Sequence, residues 1–138
     1  MLEIVNDLSD YARKKGYHIE WTYDLDPHTS SVADIQSKSI IMNGNWYRKN
    51  QLPFILAHEI GHLLTCNKQE AYISNGTLMK NDYEHNAQII SINLLLPYYI
   101  ESKSVEQINI KDFMVVFDIP TYLFTECEKA IRQTVTNN

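Results

Sequence analysis

Only four glycines and four prolines punctuate this 138-residue chain, so collagen-like repeats and Pro/Gly-rich linkers are excluded. Two cysteines, Cys66 and Cys127, are too few for the disulfide framework of a small secreted scaffold. Long hydrophobic runs are also missing. Stretches such as Leu94-Leu95-Leu96 fall far short of the roughly 20 apolar residues that a bilayer-spanning helix needs, so no membrane partner is expected. Residues Met1 to Asp7 lack a positive region followed by an apolar stretch, which leaves no secretory signal in view and makes the cytoplasm the expected compartment. Positive charge is scarce, with 12 Lys and Arg against 17 Asp and Glu, a net charge of −5 and a pI near 5.4. Phosphate backbones are bound by clustered Lys and Arg, so direct nucleic-acid binding is not expected.

What is present reads as a folded domain. Hydrophobic residues make up 44% and charged residues 21%, ordinary values for a globular chain whose length suits one core. Leu2, Val5, Leu8, Tyr11 and Ala12 repeat at helical spacing up to Gly16. His18 to Tyr23 alternates polar and bulky residues, as a strand does. Val32–Ile35 and Ser39–Met42 read as a hairpin over Gln36-Ser37-Lys38, closed by Asn43-Gly44-Asn45. The expected fold is α+β, with a small antiparallel sheet of about three strands packed with helices.

A helix is expected from near Gln51 to Thr65, with Pro53 in its first turn and an apolar stripe of Leu52, Ile55, Leu56, Leu63 and Leu64. Cys66 to Asn81 is a polar connection containing the turn signal Ser74-Asn75-Gly76. A second helix is expected from Asp82 to Leu96, stopped by Pro97. Val105–Phe117 and Tyr122–Thr134 read as two further helices around Asp118-Ile119-Pro120. Residues 1–138 form one expected domain, with a core over 1–100 and C-terminal helices over 101–138 for packing or substrate binding.

The chemistry concentrates in His58-Glu59-Ile60-Gly61-His62, the pattern H-E-x-x-H. Residues four apart on a helix differ by roughly 40° in direction and about 6 Å in height, so both imidazoles can reach one ion. Neutral imidazole suits zinc, and two from one helix leave coordination positions open. Glu59 projects beside them, where a carboxylate can take a proton from a water whose pKa zinc lowers toward about 7. With five His in the chain, chance places only about 0.01 such motifs in a sequence of this composition. The bland alternative, two unrelated histidines on a helix, is the weaker reading.

A catalytic zinc takes three protein ligands and a water. Glu84, 22 residues beyond His62, lies early in the second helix, with Ala87, Ser91 and Leu95 on its face. Small residues there allow close helix approach. Asp82, His85 and Glu70 compete for the same role, and an acidic residue near a helix N-terminus is favourable without any metal.

The combination of His58-Glu59-Ile60-Gly61-His62-Leu63-Leu64, Glu84-x-x-Ala87 and Leu94-Leu95-Leu96-Pro97 resembles the ImmA/IrrE family of metallopeptidases. That family's second helix reads E-x-x-A-N-x-F-A-x-x-L-L-M-P, and Glu84 and Pro97 fall 13 positions apart as in the pattern. Ser39-Ile40-Ile41-Met42-Asn43 stands where the family has its I-x-I-N strand. Gln88 replaces the usual Asn, Ile90 the Phe, Ser91 the Ala and Leu96 the Met. The resemblance implies a zincin-like, gluzincin-type site with Zn2+ on His58, His62 and Glu84, and Glu59 catalytic. It further implies an anti-repressor of a phage or mobile element whose protein substrate is a helix-turn-helix transcriptional repressor.

Peptidases also need a hydrogen-bond donor for the tetrahedral intermediate. Tyr83 and His85 flank Glu84, and Tyr72 lies between the ligand helices; nothing in the sequence chooses among them. His18 and His28 read as surface residues, Cys66 as a buried apolar cysteine, and Tyr98-Tyr99-Ile100 as a groove border or core. Two other function classes remain: a non-cleaving, zinc-containing anti-repressor, and a DNA-binding regulator using Ile110 to Arg132. The second is disfavoured by its acidic balance, with Lys111, Lys129 and Arg132 set against Asp112, Asp118, Glu126 and Glu128.

Overall fold

The computed structural model describes residues 1–65 and 77–136, with backbone alone over 77–81. Helix α1 (Leu2–Lys14) precedes strands β1 (His18–Thr22), β2 (Val32–Asp34) and β3 (Ser39–Asn43). A 3₁₀ turn (Lys49–Gln51) leads into α2 (Leu52–Thr65), followed by α3 (Thr77–Ile100), α4 (Ile110–Val116) and α5 (Phe124–Thr136). The fold is mixed α+β.

The sheet corrects one expectation. Its order is β1-β3-β2, with β3 antiparallel to β2 but parallel to β1, His18 opposite Ser39. The sheet is therefore mixed. Alternation marks a strand and its buried face, but it carries no information about pairing direction. The hairpin between β2 and β3 is present, turned by Lys38 at φ 54° and by Asp34, whose carboxylate accepts from the Gln36 N–H and the Ser37 hydroxyl. Strand β2 is left as an edge.

Asn43 ends β3 and organises the approach to that edge. Fully buried, it donates through Nδ2 to the carbonyls of Asp26 and Thr29, both at 2.8 Å, while its own N–H donates to Ser31 Oγ at 2.9 Å. Its Oδ1 accepts from the Asn45 N–H. One amide thus satisfies the backbone of the loop that enters β2, as a buried polar side chain must.

Helix α2 runs through the middle of the molecule. The expected stripe is only part of what it buries: Pro53, Phe54, Ala57, Glu59, Ile60, Gly61 and His62 are buried too. It packs against α1 and the sheet on one side and along α3 on the other, so nearly its whole circumference is covered. The core joins Leu8 and Ala12 of α1, Ile40 and Met42 of β3, Leu56 and Ile60 of α2, Ile92 and Leu95 of α3, and Phe113, Phe117 and Cys127 of the C-terminal segment. Cys127, free and buried, has its thiol pushed up to about 12 by burial and belongs to this packing.

Helix α3 differs from expectation at both ends. It begins at Thr77 rather than Asp82, and it continues through Pro97 to Ile100. Leu95, Leu96 and Tyr99 are all buried, and anchoring the last turn there outweighs the hydrogen bond that proline deletes. The Tyr98-Tyr99-Ile100 segment is thereby core and core margin. The expected helix over Val105–Phe117 is a 3₁₀ turn (Val105–Gln107) and the shorter α4, capped by Asn109, whose side chain accepts from the Asp112 N–H. After α4, Asp118 adopts φ 52°, its N–H bonding to Val115 O and the Ile119 N–H to Met114 O. That paired closure is the Schellman stop, with aspartate in the left-handed position that glycine usually takes. Pro120 follows, then a 3₁₀ turn (Thr121–Leu123) ahead of α5.

Candidate metal centre

Helix spacing puts His58 and His62 one above the other on α2, and a close crossing delivers Glu84 from α3. The crossing depends on Gly61. A methyl group there would stand 2.7 Å from the Ala87 carbonyl oxygen and 3.1 Å from its Cα, contacts that only a glycine opposite an alanine avoids. Ala87, Ser91 and Leu95 are fully buried, as the expected face of α3 requires. Ala87 lies three residues after Glu84, so the tightest approach falls within a turn of the carboxylate.

The result is a compact donor set. Nε2 of His58 and Nε2 of His62 lie 3.0 Å apart. Oε2 of Glu84 is 3.1 Å from His58 Nε2, and its Oε1 is 3.2 Å from His62 Nε2. Ligand atoms of a tetrahedral zinc with bonds of ~2.0–2.1 Å are separated by roughly 3.3 Å, close to this spacing. Electron-rich atoms so near one another need a proton or a cation among them. The Glu84 carboxyl is held well below the usual carboxylate range by its contacts with His58 and then His62. It therefore stays an anion and a ready ligand. Glu59, with His58 and His62, forms a wider group within 4.8 Å that could hold a metal ion. Glu84, at 3.1 and 3.2 Å from the two imidazoles, could also contribute a carboxylate oxygen to such an ion.

Glu59 is 7% exposed. Burial pushes its carboxyl up to about 7, against the lowering effect of His58 and with a further rise from Glu84. A carboxylate poised near neutrality exchanges protons readily at working pH.

The outer nitrogens of the two imidazoles break a common pattern. His58 Nδ1 and His62 Nδ1 are buried without hydrogen-bond partners among the described residues, where metal-bound imidazoles usually donate to a carboxylate or carbonyl. Ring packing orients them instead. Phe54 stacks on His58 with centroids 6.2 Å apart, and Tyr83 lies 4.3 Å from His62.

Around these donors opens a cleft of about 580 Å³. Helix α2 is its floor. Ser31 and, from β2, Val32 and Ala33 contribute to its lining, as do Tyr83, Glu84 and Gln88 of α3 together with Pro120 and Tyr122.

No family model, curated protein or solved structure matches this chain. The site therefore stands on its own geometry.

Of the expected site residues, His58, Glu59, His62, Glu84 and Tyr83 come together in the cleft. His85 does not. It is exposed and lines a separate groove with Ile89, Thr125 and Lys129 toward α5, because one residue's step along a helix turns the side chain about 100° away. Asp82 is exposed and outside the cleft lining. Tyr72, Glu70 and Cys66 lie outside the described residues. Sequence reading missed several cleft residues, Trp46, Gln51 and Tyr122 among them. Trp46 Nε1 donates to Gln51 Oε1 at 2.8 Å, and Gln51 Nε2 donates to Asp118 O at 2.8 Å. No local spacing signals a chain of contacts between residues 67 positions apart.

Proposed function

We propose that this chain is a zinc-dependent endopeptidase of the ImmA/IrrE type, with His58, His62 and Glu84 as metal ligands and Glu59 as general base. The supporting observation is the convergence of two imidazole nitrogens and a carboxylate within 3.2 Å, beside a buried second carboxylate. Bound zinc supplies Lewis acidity and lowers the pKa of water. Glu59 takes the proton of the attacking water as its oxygen adds to the peptide carbonyl carbon. It then delivers that proton to the leaving nitrogen as the C–N bond breaks, which yields a carboxylate and an amine.

Substrate placement follows from the edge strand. Strand β2 is an edge of the sheet among the described residues and lines the cleft through Val32 and Ala33, so an extended peptide can add to it by main-chain hydrogen bonds. Val32, Trp46, Phe54 and Ile55 line the cleft and favour apolar side chains beside the scissile bond. Together with the family resemblance, this supports a protein substrate, which we take to be a helix-turn-helix repressor of a phage or mobile element, met in the cytoplasm. No described helix is long and apolar enough to cross a membrane.

The test is incubation of the zinc-loaded chain with candidate helix-turn-helix repressors, followed by intact-mass measurement. Two fragments whose masses total the repressor plus one water are expected, and none with Glu59→Gln. Inactivation of the repressor by Glu59→Gln as efficiently as by wild type would instead identify a non-cleaving anti-repressor.

A further inference from the structure

We propose that Tyr122 donates a hydrogen bond to the oxyanion formed during peptide hydrolysis and that Gln88 positions it. The inference rests on the peptidase reading above, and three observations carry it.

Tyr122 lines the same cleft as the donor set, although 38 residues separate it from Glu84 in the chain. Its hydroxyl accepts a hydrogen bond from Gln88 Nε2 at 2.7 Å. A phenol has one proton and two acceptor lone pairs, so accepting from Gln88 leaves the O–H proton for a partner in the cleft. Gln88 is also one turn beyond Glu84 on α3. It therefore anchors the phenol from a position one helical turn past Glu84, in the same cleft as the donor set.

The backbone around Tyr122 is held in place independently. The left-handed turn at Asp118 is tied to the cleft rim through Arg48, whose Nη1 donates to both carboxylate oxygens at 3.1 Å, and through Gln51. Pro120 then limits the path into the next turn. Tyr122 itself is 69% exposed, so its hydroxyl contributes little to the core and its removal leaves the fold intact. His85, by contrast, faces another groove.

The experiment compares two inhibitors on zinc-loaded wild type, Tyr122→Phe and Gln88→Ala, with zinc content measured for each protein. N-phosphoryl-Leu-Trp carries a tetrahedral anionic centre and apolar side chains suited to the cleft, whereas acetohydroxamate is a small metal chelator without that centre. Tyr122→Phe should keep its zinc and bind the phosphoryl peptide about 10- to 100-fold more weakly, the loss expected for one hydrogen bond to a charged oxygen. Its affinity for acetohydroxamate should change less than about 2-fold, since no tetrahedral oxyanion is presented. Gln88→Ala should weaken the phosphoryl peptide by roughly 3- to 10-fold, through loss of positioning alone. Equal weakening of both inhibitors, or of neither, in Tyr122→Phe would overturn the donor role while leaving the peptidase reading standing. An unchanged Gln88→Ala would overturn the positioning role. Failure of zinc-loaded wild type to bind either compound would overturn the peptidase reading and the donor role together.

Discussion

Where α2 crosses α3, the donor set is held by buried, close-packed backbone, with Gly61 against Ala87 and no room for a methyl group between them. Elsewhere in the same cleft, the Tyr122 hydroxyl is held by an exposed contact from Gln88, and the turn before it by Arg48 and the part-buried Gln51 on Asp118. The floor can keep ligand atoms within tenths of an ångström because dense packing resists displacement. The wall's contacts are polar and mostly exposed, so each one contributes less than a buried contact does.

Substitutions on the floor should therefore cost far more than substitutions on the wall, and the largest effect belongs to Glu59. Glu59→Gln should lower the cleavage rate by about 10³-fold or more while zinc stays bound, since proton transfer is lost without loss of a ligand. Cleavage kinetics and metal content on the same sample check this; a loss below about 10-fold would remove Glu59 from the base role. Gly61→Ala comes next. The alanine gains roughly 1 kcal/mol of helix propensity, but it meets a backbone carbonyl that no rotamer change can relieve, at a cost of about 1–3 kcal/mol. Zinc affinity should fall by about 10-fold or more as the helices part, read by competition with a chromophoric chelator. Undiminished affinity would show that the crossing does not set the ligand geometry.

A smaller effect follows from Glu59 itself. Burial raises its carboxyl to about 7 from an ordinary value of 4.5, so the folded chain keeps a proton that the unfolded chain has released. Metal-free stability should therefore fall as pH climbs from about 4.5 to about 7, and Glu59→Gln should remove that slope. Glu84 acts with the opposite sign, its stabilisation being lost only as pH falls below the ordinary carboxylate range. At pH 8 the metal-free Glu59→Gln protein should melt about 3–6 °C above wild type, a gain made at the expense of function. Thermal melts across pH check both statements. The smallest effect is expected at the wall, where Arg48→Ala should cost less than about 1 kcal/mol in denaturant unfolding. A larger loss would mean that the wall is as rigid as the floor.

The same division explains what could be read in the sequence. H-E-x-x-H is a local pattern, so helical periodicity alone places His58 and His62 on one face with Glu59 turned to their side. Glu84 needed a second helix and its facing side: Ala87 and Ser91 suggested a face but left Asp82, His85 and Glu70 in competition, and the family resemblance chose among them. Strand alternation located all three strands yet left the parallel pairing of β1 with β3 hidden, since direction is decided by tertiary packing. Pro97 misled because buried Leu96 and Tyr99 extend the helix past it. Tyr122 was out of reach for a simpler reason: its place in the cleft depends on a left-handed turn at Asp118 and on partners at Arg48, Gln51 and Gln88, none of them near in sequence.

The central claim is that α2 and α3 together build a three-ligand metal centre, and metal content tests it most directly. Wild type and Glu84→Gln, purified identically and loaded with zinc, should be compared by inductively coupled plasma mass spectrometry. The account predicts about one zinc per chain in wild type, sharply reduced in Glu84→Gln. Full occupancy in the variant would move the third ligand elsewhere, and no zinc in wild type would contradict the metal centre altogether.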